Sequence, residues 1–202
     1  VLGAHTNPPR SSCYDDMQAD VPKFVELYCQ GEKATKNAEQ CTTLNKIQVD
    51  LLRLKAEAVQ KEANAKLGTS EGLAMQEKAG TSYFDMFRKY CQEPVNAGQQ
   101  PQAERCDEIV YNAAKAFQAA RLLAKAIRAR VALLDFDART KGNSPLAKKS
   151  IYEIGANYQA IAVYDQAADW YEKYAKADKT ADKADTALAD AVVLRIGLGQ
   201  EK

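Results

Sequence analysis

"SIYEIGANYQAIAVYDQAADWYEKYAK", Ser150 to Lys176, sets large aromatic side chains among alanines and a single glycine at helical spacing. Two closely packed helices need this mixture of bulk and absence. Gly155 and Ala167 let the axes approach, and Tyr158 and Tyr171 fill the volume on either side. Upstream, Ser144 and Pro145 supply an N-cap and a first-turn proline. One helix is therefore expected through "SPLAKKSIYEIGANYQAIAV", with its antiparallel partner in "DQAADWYEKYAKA".

From Asp107 onward the chain compares with itself at an offset of 41 residues. Tyr111 matches Tyr152, Gln118 matches Gln159, Ala119 matches Ala160 and Ala126 matches Ala167, with Phe117 opposite Tyr158 and Ala114 opposite Gly155. This indicates two copies of a helical hairpin. Arg130 occupies the second aromatic place of the first copy, so a looser hairpin is expected there. A third copy starts at about Asp185: Leu188, Ala191, Val192 and Gly199 suit its first helix, while Arg195 stands where an aromatic belongs. The sequence stops within this copy, which leads us to expect a piece of a longer protein with its last repeat truncated.

The preceding part, residues 13–106, reads as helices that match the repeat only generically, after a flexible lead-in over residues 1–12 rich in Pro, Asn and Ser. "DVPKFVELYCQG" predicts a short amphipathic helix opened at Asp20 and Pro22 and closed at Gly31. Leu44, Ile47, Leu51, Leu54 and Ala58 form an apolar stripe on a long helix, read as packing on neighbouring helices rather than as a coiled-coil dimer. "KLGTSEG" breaks that helix, "SYFDMFRKYC" offers another aromatic helix face, and a loop is expected over residues 92–103. No stretch alternates at period two, so the chain is expected to be all-α.

The 202 residues carry 28 basic and 27 acidic side chains, a formal charge of +1, which gives no global reason to expect nucleic acid or anionic lipid as partner. A basic face around Arg121, Lys125, Arg128 and Arg130 reads as solvated. No apolar run is long enough to cross a bilayer. The five cysteines include no CxxC, and His5 is the single histidine, which argues against a zinc site. Cys91 and Cys106 flank a polar loop and form the first candidate disulfide. Cys29 with Cys41 is the second. The pairing is out of reach if the next helix begins at Glu32, but feasible if it begins after Asn37, whose spacing to Gln40 resembles a capping box. Cys13 is left over. Paired cysteines favour an oxidising, extracytoplasmic setting, periplasmic or otherwise associated with the cell envelope.

The places held by Ile151, Ile154, Gly155, Tyr158, Ala167 and Tyr171 resemble the tetratricopeptide repeat, whose pattern alternates large apolar, small and aromatic residues at fixed spacings. Tyr174 and Lys179 depart from that pattern, standing where the family has a small residue and a proline. The wider phrases also look like the tetratricopeptide segments of large cell-envelope proteins of myxobacteria and their relatives, including proteins linked to surface motility. The resemblance implies an α-solenoid of antiparallel hairpins with a right-handed superhelix. It also implies a concave groove that receives a peptide or partner helix through the inner faces of the first helices. On this chain those positions are Tyr111, Lys115 and Gln118 in one copy and Tyr152 and Gln159 in the next. The alternative for the tyrosines is packing under a neighbouring helix, and for the glutamines, solvation.

Reactive groups do not converge in the sequence. GxSxG, HExxH and a phosphate-cradling glycine loop are absent, and Asp107 with Glu108 reads as an ordinary dipole partner of a first helical turn. The expected activity is noncatalytic protein binding with no cofactor. An architectural spacer or oligomerisation element is the alternative, and a glycan-active envelope enzyme a third reading.

Overall fold

A computed structural model describes residues 11–177 and 181–200, with side chains from Asp15 onward. Every regular element among these residues is helical. In chain order they are α1 (Ser11–Tyr28), α2 (Gly31–Lys36), α3 (Ala38–Ala65), α4 (Ser70–Phe87), a π-helical stretch (Arg88–Gln92) and α5 (Glu93–Asn96). Then follow α6 (Cys106–Ala119), α7 (Leu123–Arg139), α8 (Pro145–Ala160), α9 (Tyr164–Ala177) and α10 (Ala184–Gly197). From α6 onward each helix packs on the next in sequence, while α3 packs between α1 and α4, and α4 packs on α6.

The turns between the paired helices repeat bond for bond. After α6, the amides of Arg121 and Leu122 donate to the carbonyls of Gln118 and Phe117; after α8, Ala162 and Val163 donate to Gln159 and Tyr158. After α10, Gly199 and Gln200 donate to Ile196 and Arg195. In each case the residue at the bend is left-handed, with φ of 62° at Arg121, 59° at Ala162 and 67° at Gly199. This is a Schellman helix end, and only the third copy spends a glycine on it. The same geometry aims the chain back along the helix it has just left. Thus α6 packs on α7 and α8 on α9 across a tight bend, and α10 closes with the same bonds as α6 and α8. It buries Ala184, Ala187 and Ala191 at the places where α8 buries Ala147, Ser150 and Ile154.

Close approach is achieved by laying rings on glycines. A Cβ built on Gly155 would lie 2.7 Å from Cδ1 of Tyr171, so the ring of α9 rests directly on the backbone of α8. Gly80 of α4 receives the Phe117 ring of α6 in the same way, also at 2.7 Å. Around the second contact a continuous core runs through Tyr83, Phe87, Ile109, Val110, Leu133 and Phe136. Two helix starts carry side-chain caps. Ser144 Oγ accepts from the Leu146 amide at 3.2 Å, and Thr69 Oγ1 accepts from Gly72 at 3.0 Å after the break at residues 66–69.

Both candidate disulfides are formed, Cys29–Cys41 with Cα atoms 5.4 Å apart and Cys91–Cys106 at 5.9 Å. Cys41 comes within reach because α3 begins at Ala38, just after Asn37, with the separate short α2 ahead of it. The expected capping box is not made. Asn37 Nδ2 instead donates back to the Lys33 carbonyl at 3.0 Å, closing α2 rather than opening α3. Cys13 lies in the first turn of α1, outside the described side chains.

Two boundaries and one buried face differ from expectation. The first helix starts at Ser11 and continues through Pro22, so residues 11 and 12 of the expected lead-in are helical; residues 1–10, with His5, lie outside the described set. Pro22 is tolerated because it is exposed, where water can reach the carbonyl it leaves unbonded. The expected loop at 92–103 is helical as far as Asn96, since Glu93 and Pro94 open α5 instead of ending the chain's helical course. On α3 the buried residues are Cys41, Val49, Leu51, Ala56 and Ala63, while Leu54 and Ala58 of the expected stripe are exposed. With neighbours on two sides, α3 turns part of its apolar stripe outward.

Gly155→Leu tests the ring-on-glycine contact. Leucine gains up to about 1 kcal/mol of helix propensity, but displacing the Tyr171 ring costs about 3 kcal/mol. We expect a net loss of ~2 kcal/mol in denaturant unfolding, reduced when Tyr171 is also truncated to Ala. Unchanged stability of the single variant would contradict the contact.

Candidate functional site

The residues singled out from the repeat fall into two clusters, and both are tied into the chain's own packing. In the first, Tyr111 on α6 is buried and its hydroxyl donates to Glu153 Oε1 on α8 at 2.8 Å. Glu153 Oε2 accepts from Arg130 Nε on α7 at 3.0 Å, and Arg130 Nη2 donates to Gln118 Oε1 on α6 at 2.8 Å. Three helices are thus joined through one guanidinium that is only 1 % exposed. Lys149 approaches from outside, its Nζ 5.7 Å from the Tyr111 ring centre. Burial, and then the bond to Glu153, raise the Tyr111 pKa above the ordinary tyrosine value.

In the second cluster Tyr152 is half-buried between Tyr171 and Tyr174, with ring centres 5.3 and 5.4 Å away, and Lys183 Nζ sits 4.8 Å above its ring. Gln159 Oε1 accepts from the Tyr171 hydroxyl at 2.6 Å. The two clusters correspond. Gln118 and Gln159 occupy equivalent first-helix positions, and each accepts from the side chain 12 residues later, Arg130 in one hairpin and Tyr171 in the next. Arg130 therefore does the aromatic residue's job with a charge, and the first hairpin is packed, not loosened. Lys115 joins neither cluster and is exposed, as are Gln118 and Gln159, while Tyr152 is half-buried and Tyr111 buried.

Glu153, which completes the first cluster, escaped the sequence reading. The available signal was Arg130 itself, because an arginine at a place meant for a buried ring requires a carboxylate partner. The basic face also resolves differently: Arg130 is buried, Lys125 pairs with Glu77 at 2.7 Å, and Arg121 forms the left-handed bend. Asp107 and Glu108 lie in the first turn of α6; Asp107 accepts from Ser144 Oγ at 2.7 Å, and Glu108 pairs with Arg105. Trp170 is half-buried beneath Lys173, whose Nζ is 4.4 Å from its ring centre. Among the described residues no group of three or more His, Cys, Asp or Glu could hold a metal ion, and no helix is long and apolar enough to cross a membrane.

Two open grooves lie outside these clusters. One, of about 1060 Å³, runs between α9 and α10 over Leu188, Val192, Arg195 and Ile196. The other, of about 370 Å³, lies between α3 and α4 over Leu52, Val59 and Met86. Comparison with protein-family models, with curated proteins and with solved structures yields no match.

Removing one member of the Arg130–Glu153 pair should be costly. Glu153→Leu leaves a buried guanidinium unpaired, for an expected loss of about 3–5 kcal/mol, whereas Arg130→Met combined with Glu153→Leu should recover most of it. A double-mutant cycle measured by denaturant unfolding checks this, and additive losses would refute the pairing.

Burial pushes Tyr83 and Tyr171 up to about 12. Their native pKa values are raised, so the stability they contribute is intact below the unfolded value of about 10 and falls as pH rises from there toward 12. Spectrophotometric tyrosine titration should show a late class of tyrosines, with unfolding beginning in that window. Titration of all tyrosines near pH 10 with the fold intact would contradict this.

Proposed function

We propose that the chain is a noncatalytic protein-interaction scaffold of the bacterial cell envelope, a tetratricopeptide-like right-handed solenoid of helix hairpins serving a surface or motility assembly. The carrying observation is the apolar face that α10 leaves open among the described residues. In α6 and α8 the side facing the following helix is covered by α7 and α9. On α10 the same side leaves Leu188 51 %, Val192 50 % and Ile196 55 % exposed. A helix with the small-and-large pattern that α9 offers to α8 fits this face, whether a partner or a further segment of the same protein supplies it. Val192 stands where α8 has Gly155, so the occupant carries a small residue opposite it rather than a tyrosine. Two disulfides suit an extracytoplasmic setting. Lys115, with the outer parts of Gln118 and Gln159, supplies the polar surface of the first helices.

A second reading, an architectural spacer or oligomerisation element, is favoured by the engagement of Tyr111, Gln118, Tyr152 and Gln159 within the chain. Site-specific photo-crosslinking separates the two. A photoreactive residue at Leu188 should give one adduct with a different envelope protein, and the same group at exposed Arg128 none. An adduct of the chain with itself, lost in Val192→Asp, would establish the second reading instead. Equal labelling from both positions would refute both.

A further inference from the structure

We infer that the groove between α3 and α4 is a docking site for an acidic amphipathic helix of a partner protein. This deepens the scaffold reading and rests on it for its purpose. The walls have the spacing that a helix requires. On α3 the lining residues Gln48, Leu52, Lys55 and Val59 recur at steps of four, three and four. On the facing wall Lys78, Ser82, Asp85 and Lys89 recur at four, three and four, with Met86 and Tyr90 beneath them. Each wall extends for three turns, about 16 Å, and such ridges take side chains at i, i+3, i+4 and i+7 of an incoming helix.

The chemistry of the groove selects the occupant. Its floor is apolar, with Ala56, Met86 and Tyr90 buried and Leu52 and Val59 accessible beside them. Its rim carries Lys55, Lys78 and Lys89 against a single Asp85. None of these four is ion-paired with any described residue, whereas Lys46 and Lys66 on the same α3 are paired, to Glu104 at 2.8 Å and to Glu62 and Glu71 at 2.9 and 2.6 Å. Lys89 only lies over the Tyr90 ring at 5.0 Å. In a chain whose formal charge is +1, this excess is local. Leucine-like side chains entering between Leu52, Val59 and Met86, flanked by carboxylates that meet the three ammonium groups, satisfy both parts of the surface.

The test uses the whole chain and two fluorescent synthetic helical peptides that share a leucine stripe at i, i+4 and i+7, one flanked by glutamates and the other by lysines. Fluorescence anisotropy should show saturable binding of the acidic peptide and at least about tenfold weaker binding of the basic one. K55E/K78E/K89E should reverse that preference with an unchanged melting curve, since the three lysines are exposed and unpaired. Leu52→Asp should abolish both. Absence of saturable acidic-peptide binding, equal affinity for both peptides, or insensitivity to the lysine triple would overturn the assignment. So would lysine-dependent cosedimentation with phosphatidylserine vesicles in the absence of peptide binding, which would make the groove a lipid contact. A failure here together with a partner adduct at Leu188 removes this groove alone; failure of both removes the scaffold reading.

Discussion

The contact of the Tyr171 ring with the bare backbone of Gly155 sets the distance between α8 and α9, and the rest of the second hairpin is arranged to permit it. A side chain at Gly155 would occupy the space of the ring, and Ala167 and Ala168 keep the α9 side of the interface thin. The Phe117 ring on Gly80 applies the same solution between α4 and α6, so the two halves of the chain join by the device that joins helices within a hairpin. Packed this tightly, the helices lend much of their stability to dispersion and burial rather than to exposed ion pairs.

Arg130 shows what happens when the pattern is kept and the chemistry changed. The first hairpin substitutes a guanidinium for the second ring, and its charge then recruits Glu153 from the next hairpin, with Tyr111 and Gln118 completing the bonds. A contact that lies within one hairpin in the second copy becomes a link between hairpins in the first. Such a link is costly to break from one side.

Much of this was legible in the residues because local rules were enough. The N-cap Ser144, the break before Ser70, the packing of α8 on α9 and the Cys91–Cys106 candidate follow from spacing and helix geometry, whereas the residues leave Cys29–Cys41 open between two helix starts, and the start of α3 at Ala38 decides it. The misreadings share a cause, the override of local preference by tertiary context. Pro22 reads as a helix start but sits inside α1, and Glu93 with Pro94 reads as a stop but begins α5. The stripe on α3 ran on through Leu54 and Ala58, whereas the neighbouring helices bury Val49, Leu51, Ala56 and Ala63. At the candidate site, the family resemblance singled out Tyr111, Tyr152 and the glutamines on the faces of the first helices. It could not show that Glu153, Tyr171, Tyr174 and Lys183 would already occupy them. The groove lysines were invisible for a related reason, since 55, 78 and 89 converge only when α3 and α4 fold together.

The account depends most on chain reversal at Arg121, Ala162 and Gly199, because without it the segments 106–139 and 145–177 would be long single helices with no hairpin and no ring-on-glycine contact. Nuclear magnetic resonance measurement of backbone couplings and amide exchange tests this directly. The account predicts positive φ at all three residues, with the Leu122 and Val163 amides protected by their bonds to Phe117 and Tyr158. Ordinary helical φ values running uninterrupted through Arg121 and Ala162 would contradict it.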